Sequence, residues 1–161
     1  MIRTCPATLD DAERISALLM ANASNRGGTL VGDWSIGVVK DCVTAGQLII
    51  IATEAENLLG VLFTSEKARA LAPPVVAMLA AWPGRLDAYV YGPVCVDLAA
   101  RGRGVIEALH AELVARQPGR EAILFIKADN ERSLRAHARL GMVPVASFTL
   151  GAEFFTVLSS R

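Results

Sequence analysis

Apolar positions along this chain change period several times, and the changes mark its elements. Residues 2–6 read as a short strand ended by proline. Thr8 and Asp11 then form a weakened capping box ahead of Leu9, Ala12, Ile15, Leu18 and Leu19, whose spacing predicts a helix to about Ala23. Residues 25–32 hold three glycines and read as loop. Asp33 is placed to cap a second helix through Ile36, Val39 and Val43, with Gly46 at its end. The run QLIIIAT at 47–53 is short and β-branched, which favours a buried strand. A polar turn at 54–57 leads into its antiparallel partner at 58–64. Residues 65–82 have helical composition, with Pro73-Pro74 expected to break them into two pieces.

Residues 86–96 form a long strand pattern interrupted by Gly92-Pro93. Proline cannot donate to a ladder and glycine in a strand often marks a bulge, so pairing should fail on one side there. A helix follows at 104–117, then a strand at 121–128, a helix at 131–140 and a last hairpin at 143–158 around Gly151. The order β-α-α-β-β-α-β-α-β-α-β-β predicts an α/β fold with a mixed sheet.

The chain has 161 residues, the size of one domain, so residues 1–161 are expected to fold as a single unit. Its hydrophobic fraction of 53% excludes a disordered protein. Mean hydropathy is +0.40. No apolar run reaches the ~18 residues of a membrane span, and the charged first residues lack a signal-peptide core. A cytoplasmic protein with no membrane partner is expected. The three cysteines, Cys5, Cys42 and Cys95, form no CxxC pair and read as reduced thiols. Net charge is zero, which argues against a nucleic-acid partner. The balance is uneven, with an acidic excess before residue 100 and a basic one over 101–139. That pattern suits an anionic ligand beside a cationic one, or a solvated surface.

The stretch VCVDLAARGRGVI, residues 94–106, carries the chemistry. A strand runs through a short turn and a glycine-interrupted loop into an amphipathic helix. Gly102 and Gly104 permit positive φ and close approach of a ligand. The N–H groups of the helix's first turn and the positive end of its dipole favour phosphate, with Arg101 and Arg103 adding charge. A tight structural turn is the other reading of this stretch taken alone.

Arg101, Gly104 and Ile106 resemble the RxxGxG/A pyrophosphate loop of the GNAT superfamily of acyl-CoA-dependent N-acyltransferases. Asn130-Glu131-Arg132-Ser133 with Ala136, His137, Gly141 and Met142 resembles that family's NxxAxxLYxxxGF segment, and IRTCPATLDDAERI, residues 2–15, resembles its usual opening strand and first helix. The resemblance implies a single-domain, mostly antiparallel sheet flanked by helices and splayed at strands 4 and 5. It implies acetyl-CoA as acyl donor, held by the loop Arg101, Gly102, Arg103, Gly104, Val105 and Ile106. Backbone groups of Val94, Cys95 and Val96 would bond the pantetheine amides as an added strand does, and Asn130 and Ser133 would touch the same arm. The acceptor would be a primary amine of a small molecule or peptide, attacking the thioester directly in a ternary complex.

Two positions depart from the family pattern. Ile106 stands where Gly or Ala is usual. His137 stands where tyrosine often protonates the leaving thiolate; an imidazolium with pKa near ~6.5 is a competent acid, and a half-buried structural histidine is the plain alternative. His110 reads as solvated. No general base stands out among Glu54, Asp87, Tyr89, Tyr91 and Asp97. Cys95 lacks an evident activating partner for a nucleophilic role. Trp34 and Trp82 are read as core caps, with an acceptor pocket the sharper alternative. Residues 65–82 are a candidate lid or homodimer face, and the last hairpin is a second candidate homodimer surface. An acyl-CoA-binding sensor without turnover and a nucleotide-binding α/β domain are the competing functional readings.

Overall fold

The computed structural model describes residues 1–26, 30 and 32–161. Half of the glycine loop read at 25–32, residues 27–29 and 31, therefore lies outside the described residues. The chain divides into two compact units, Met1–Thr64 with Pro93–Arg116, and Ser65–Gly92 with Gln117–Arg161.

In the first unit β1 (Arg3–Pro6) pairs antiparallel with β2 (Ile49–Glu54), setting Cys5 opposite Ile51. The turn at 55–56 carries β2 into its antiparallel partner β3 (Asn57–Glu66). Residues Ile49–Ala52 of β2 are all buried because both faces of this strand are covered. On one face Ile49, Ile51, Val61 and Phe63 pack with Ala12, Ile15 and Leu19 of α1 (Ala12–Ala21) and Val39 of α2 (Ile36–Thr44). On the other face lies α4 (Val105–Arg116), with Leu109 and Leu113 fully buried.

Capping decides where the first helices begin and end. The Asp11 carboxylate accepts the Thr8 N–H at 2.8 Å across a short 3-10 turn that leads into α1. The Asn22 side chain donates to the Leu18 carbonyl at 2.9 Å, and α1 stops at Ala21, two residues before the expected end. Ser35, rather than Asp33, caps α2 by accepting the Val38 N–H at 3.4 Å. Asp33 instead accepts from the Ser35 N–H at 3.0 Å, forming the turn that delivers Ser35 to the cap position.

The second unit opens with a 3-10 turn at Lys67–Arg69, then α3 (Pro73–Ala81). Pro73 and Pro74 occupy the first helical turn, where a missing N–H costs nothing, so they start one helix instead of breaking two. β4 (Tyr89–Val96) pairs in parallel with β5 (Ala122–Lys127) at Tyr89↔Ala122 and Val90↔Ile123. After α5 (Glu131–Arg139), β6 (Val143–Leu150) and β7 (Glu153–Ser159) close the terminal hairpin, and β7 pairs antiparallel with β5. Met78, Ala88, Val90, Ile123 and Val157 form this unit's core.

The strand order is β1-β2-β3-β4-β5-β7-β6. It is a mixed, mostly antiparallel seven-stranded sheet with β4–β5 as its parallel pair. That parallel ladder covers two residue pairs and ends before Gly92, whose φ of +117° lies in the left-handed region that glycine tolerates. The irregularity expected at Gly92-Pro93 is present. β4 itself begins at Tyr89 rather than at 86, because Leu86 stands 98% exposed in the preceding turn.

A carboxylate ties the second unit together. Glu121 accepts hydrogen bonds from Trp82 Nε1 at 2.9 Å, from the Arg85 N–H at 2.7 Å and from Ser159 Oγ at 2.5 Å. Two segments distant in sequence, 82–85 and the end of β7, converge on one buried side chain of a third. Trp82 is thereby a structural residue, its indole covered by the Arg161 guanidinium at 5.0 Å from the ring centroid.

Candidate functional site

In the first unit, β4 ends at Val96 and Asp97 begins a 3-10 turn, Leu98–Ala100, that delivers the chain to Arg101. Gly102 and Gly104 adopt φ of +76° and +82°, and a Cβ on either would meet nothing within 4 Å. Both glycines are therefore required by backbone conformation, and space is open above them. From Gly104 the chain enters α4, whose first N–H groups have no partner within the helix. Arg101, Gly102, Arg103 and Gly104 are all exposed, Val105 is buried and Ile106 is half-buried.

Each loop arginine has an anchor in this unit. Arg101 Nη2 donates to Asn22 Oδ1 at 3.2 Å, and Arg103 Nη2 meets Glu54 Oε2 at 2.7 Å. The Arg103 hydrogen bond is the main cause holding the Glu54 carboxyl below its ordinary pKa. Asn22 and Glu54 carry no mark in the sequence that links them to residues 79 and 49 positions away.

The approach of α4 to the sheet depends on Gly60. A Cβ there would stand 2.9 Å from Val105 Cγ1, 3.1 Å from the Cys95 carbonyl oxygen and 3.2 Å from Leu109 Cδ1. A glycine inside a strand, facing a helix's first turn, is the signal that could have found it. Cys95 is buried, and its thiol is pushed up to about 11 chiefly by desolvation, with Arg101 opposing and Asp97 adding to the rise. A protonated, enclosed thiol is a poor nucleophile. Val94 and Val96 flank it, half-buried.

In the second unit, the segment starting at Asn130 is built around His137. The Asn130 side chain caps α5 by accepting the Ser133 N–H at 3.3 Å. One turn later the Ser133 carbonyl lies 2.8 Å from His137 Nδ1, with Ser133 Oγ farther away at 3.4 Å. The other ring nitrogen, Nε2, is 3.1 Å from Tyr91 Oη. The imidazole is 1% exposed and meets the Tyr91 ring edge-on at 5.4 Å.

Of the residues without a clear sequence reading, Tyr89 lies under the Arg120 guanidinium at 5.2 Å, and burial pushes its phenol up to about 12. His110 is half-buried rather than solvated, and desolvation lowers its pKa. Trp34 packs on Phe63 at 5.1 Å, and its carbonyl accepts from Ser16 Oγ at 2.6 Å, a core role. Among the described residues no cluster of His, Cys, Asp and Glu is arranged to hold a metal, and no helix is long and apolar enough to cross a membrane.

No family model and no curated protein matches this sequence. Solved structures do match its fold. An acetyltransferase of the GNAT family from Bacillus cereus superposes with a TM-score of 0.73 at 14% identity, covering 100% of this chain and 97% of that one. The chain has the GNAT fold. NAA60 of Arabidopsis thaliana, solved in complex with acetyl-CoA, superposes with a TM-score of 0.70 at 15% identity, covering 99% of this chain and 97% of its own. The ribosomal-protein-S18-alanine N-acetyltransferase of Escherichia coli gives 0.70 at 14% identity, over 99% of this chain and 92% of that one. With 14–15% identity, these likenesses establish architecture and leave the chemistry to the residues.

Proposed function

We propose that this chain, as one GNAT domain over residues 1–161, is an N-acetyltransferase that moves an acetyl group from acetyl-CoA to a primary amine. The carrying observation is the loop from Arg101 to Gly104, where two left-handed glycines with open space above them feed the N-terminus of a GNAT helix. These residues fit a pyrophosphate: backbone N–H groups, a helix dipole and two guanidiniums supply donors and positive charge. Ile106 is compatible with this role because it lies inside α4 and half-buried rather than in the open part of the loop. A bound phosphate would compete with Glu54 and Asn22 for Arg103 and Arg101.

The remaining assignments follow the family resemblance. Val94, Cys95 and Val96 contribute backbone groups to the pantetheine arm, the Val96 N–H polarises the thioester carbonyl, and Asn130 and Ser133 contact the same arm. In the reaction the amine nitrogen forms a bond to the acetyl carbon, the carbon–sulfur bond breaks, and one proton leaves the amine while one is taken up by the thiolate. His137 is the residue assigned to that proton. The acceptor is a small-molecule or peptide amine; acetyl-CoA bound to NAA60 and the alanine acceptor named for the Escherichia coli enzyme support this class. The protein is read as cytoplasmic, and a homodimer through α3 or the terminal hairpin fits the exposed Val76 and Phe154.

The burial of His137 favours a second reading, an acyl-CoA sensor without turnover, since a 1% exposed ring does not itself reach a substrate. A thermal-shift titration tests what both share. Acetyl-CoA at about a hundred times its Kd should stabilise the fold by about 2.7 kcal/mol, and ATP should not. Absence of any acyl-CoA shift would contradict both readings, and acetyl transfer to any of a panel of amines would exclude the sensor.

A further inference from the structure

The two arginines of the loop are held by unlike partners, and the difference is one of charge. Asn22 is a neutral amide whose orientation is fixed from behind. Its Nδ2 donates to the Leu18 carbonyl at 2.9 Å, which leaves Oδ1 to accept from Arg101 Nη2 at 3.2 Å. Arg101 is thus aimed by a partner that leaves its charge intact. Arg103 meets a carboxylate instead. Glu54 ends β2 opposite Asn57, and its Oε2 lies 2.7 Å from Arg103 Nη2. The same carboxylate meets the Met1 ammonium at 3.2 Å.

We propose that Glu54 acts through Arg103 as an intramolecular counter-anion, which a bound diphosphate must displace or outweigh, and so sets how tightly the loop holds its ligand. The inference rests on the proposed binding of acetyl-CoA. The Arg103 and Glu54 side chains are 44% and 36% exposed, and an ion pair so open to solvent does little to order a loop. What Glu54 does bring is a negative charge in contact with a guanidinium that a phosphate needs. An arriving diphosphate either takes Arg103 from the carboxylate or shares it against like-charge repulsion. Affinity falls either way. Asn22 works in the opposite direction, because it orients Arg101 and brings no charge. Arg101 is then the standing phosphate ligand and Arg103 the conditional one. Product CoA carries the same diphosphate as acetyl-CoA, so the counter-anion hastens its departure as well.

Isothermal titration of the intact protein with acetyl-CoA and with CoA tests the sign. Glu54→Gln should lower Kd for both about two- to fivefold, the worth of one exposed ion pair, while Asn22→Ala should raise it. If Glu54 served only to order the loop, both variants would raise Kd, and that result overturns the inference. Glu56→Gln removes an equal charge from an exposed side chain two residues away and should leave Kd unchanged. An equal tightening there would reveal a general field and overturn the role of the contact. In an Arg103→Gln background, Glu54→Gln should have no effect, which separates the Arg103 contact from the Met1 one; a gain that persists overturns the inference. Dephospho-CoA, which keeps the diphosphate and lacks the 3′-phosphate, should show the same gain as CoA. A gain confined to CoA overturns the placing of the diphosphate at Arg103. A wild-type protein that binds no acyl-CoA overturns the acetyl-CoA reading itself, and this inference falls with it.

Discussion

Single residues carry the strictest demands in this protein, and two glycines show two kinds. Gly104 needs its left-handed φ of +82° and has open space where a Cβ would sit. Gly104→Ala should cost about 1–2 kcal/mol of backbone strain, seen as a lower Tm with a matching loss of acetyl-CoA affinity in calorimetry. Gly60 needs room instead: its Cβ would press on Val105 Cγ1 and on the Cys95 carbonyl, which belongs to the backbone and cannot turn aside. Gly60→Ala is expected to destabilise by about 1–3 kcal/mol, lowering Tm by about 2–4 °C per kcal/mol at this chain length. An unchanged Tm would mean that α4 is free to move off the sheet. Cysteine reactivity follows burial: at neutral pH a maleimide should label the exposed Cys5 and spare Cys95 until the protein is unfolded. Gly102 and Gly104 were legible because their need is local, written in the chain between a strand and a helix. The Tyr91–His137 contact was not, because it joins residues 46 positions apart and neither type announces a partner.

Elements were legible wherever one local signal dominated. The apolar run of β2, the capping box before α1 and the irregular backbone of β4 at Gly92 each had a local signal, and each is present. Where two signals competed, chain order did not decide between them. Asp33 and Ser35 are both good caps, and the helix starts at the second because the first is used in the turn before it. Pro73-Pro74 ends a helix from one side and begins one from the other, and here it begins α3. Glu121 gave no sign of its role, since its three donors come from Trp82, Arg85 and Ser159. Burial is the largest influence on its carboxyl and raises its pKa, yet the hydrogen bonds together hold the value below the ordinary 4.5. A depressed folded value means that this stabilisation is complete above the unfolded pKa and is lost as pH falls through the folded one. Glu121→Gln should therefore lower Tm at neutral pH by the loss of about 1–3 kcal/mol, and the gap from wild type should close progressively below about pH 4.5. A gap independent of pH would show that packing rather than charge is at stake. At the start of α4, Arg103→Gln should weaken acetyl-CoA binding about tenfold, the worth of one charge-assisted hydrogen bond of about 1.5 kcal/mol. Added salt should narrow that difference.

At the scale of the molecule, element order specified the architecture before any contact was known. The strand sequence β1-β2-β3-β4-β5-β7-β6 follows chain order except at its last two strands, with hairpins joining β2 to β3 and β6 to β7, and the helical crossover from β4 to β5 lets those two pair in parallel. The loop geometry proposed to hold phosphate follows from the same order, since a strand that leads through glycines into a helix presents that helix's free N–H groups at the loop. Acceptor identity was not legible, because loops rather than the sheet set it, and part of the first long loop lies outside the described residues. Acetyl transfer to an amine is tested by incubating the intact protein with acetyl-CoA and a panel of small amines and peptides, following acetylated product by mass spectrometry and free CoA thiol by a colorimetric reagent. Acetyl transfer predicts an acetylated amine formed in equal amount with the thiol. Tight acetyl-CoA binding with neither product, across the whole panel, would contradict it and leave a binding protein on a transferase fold.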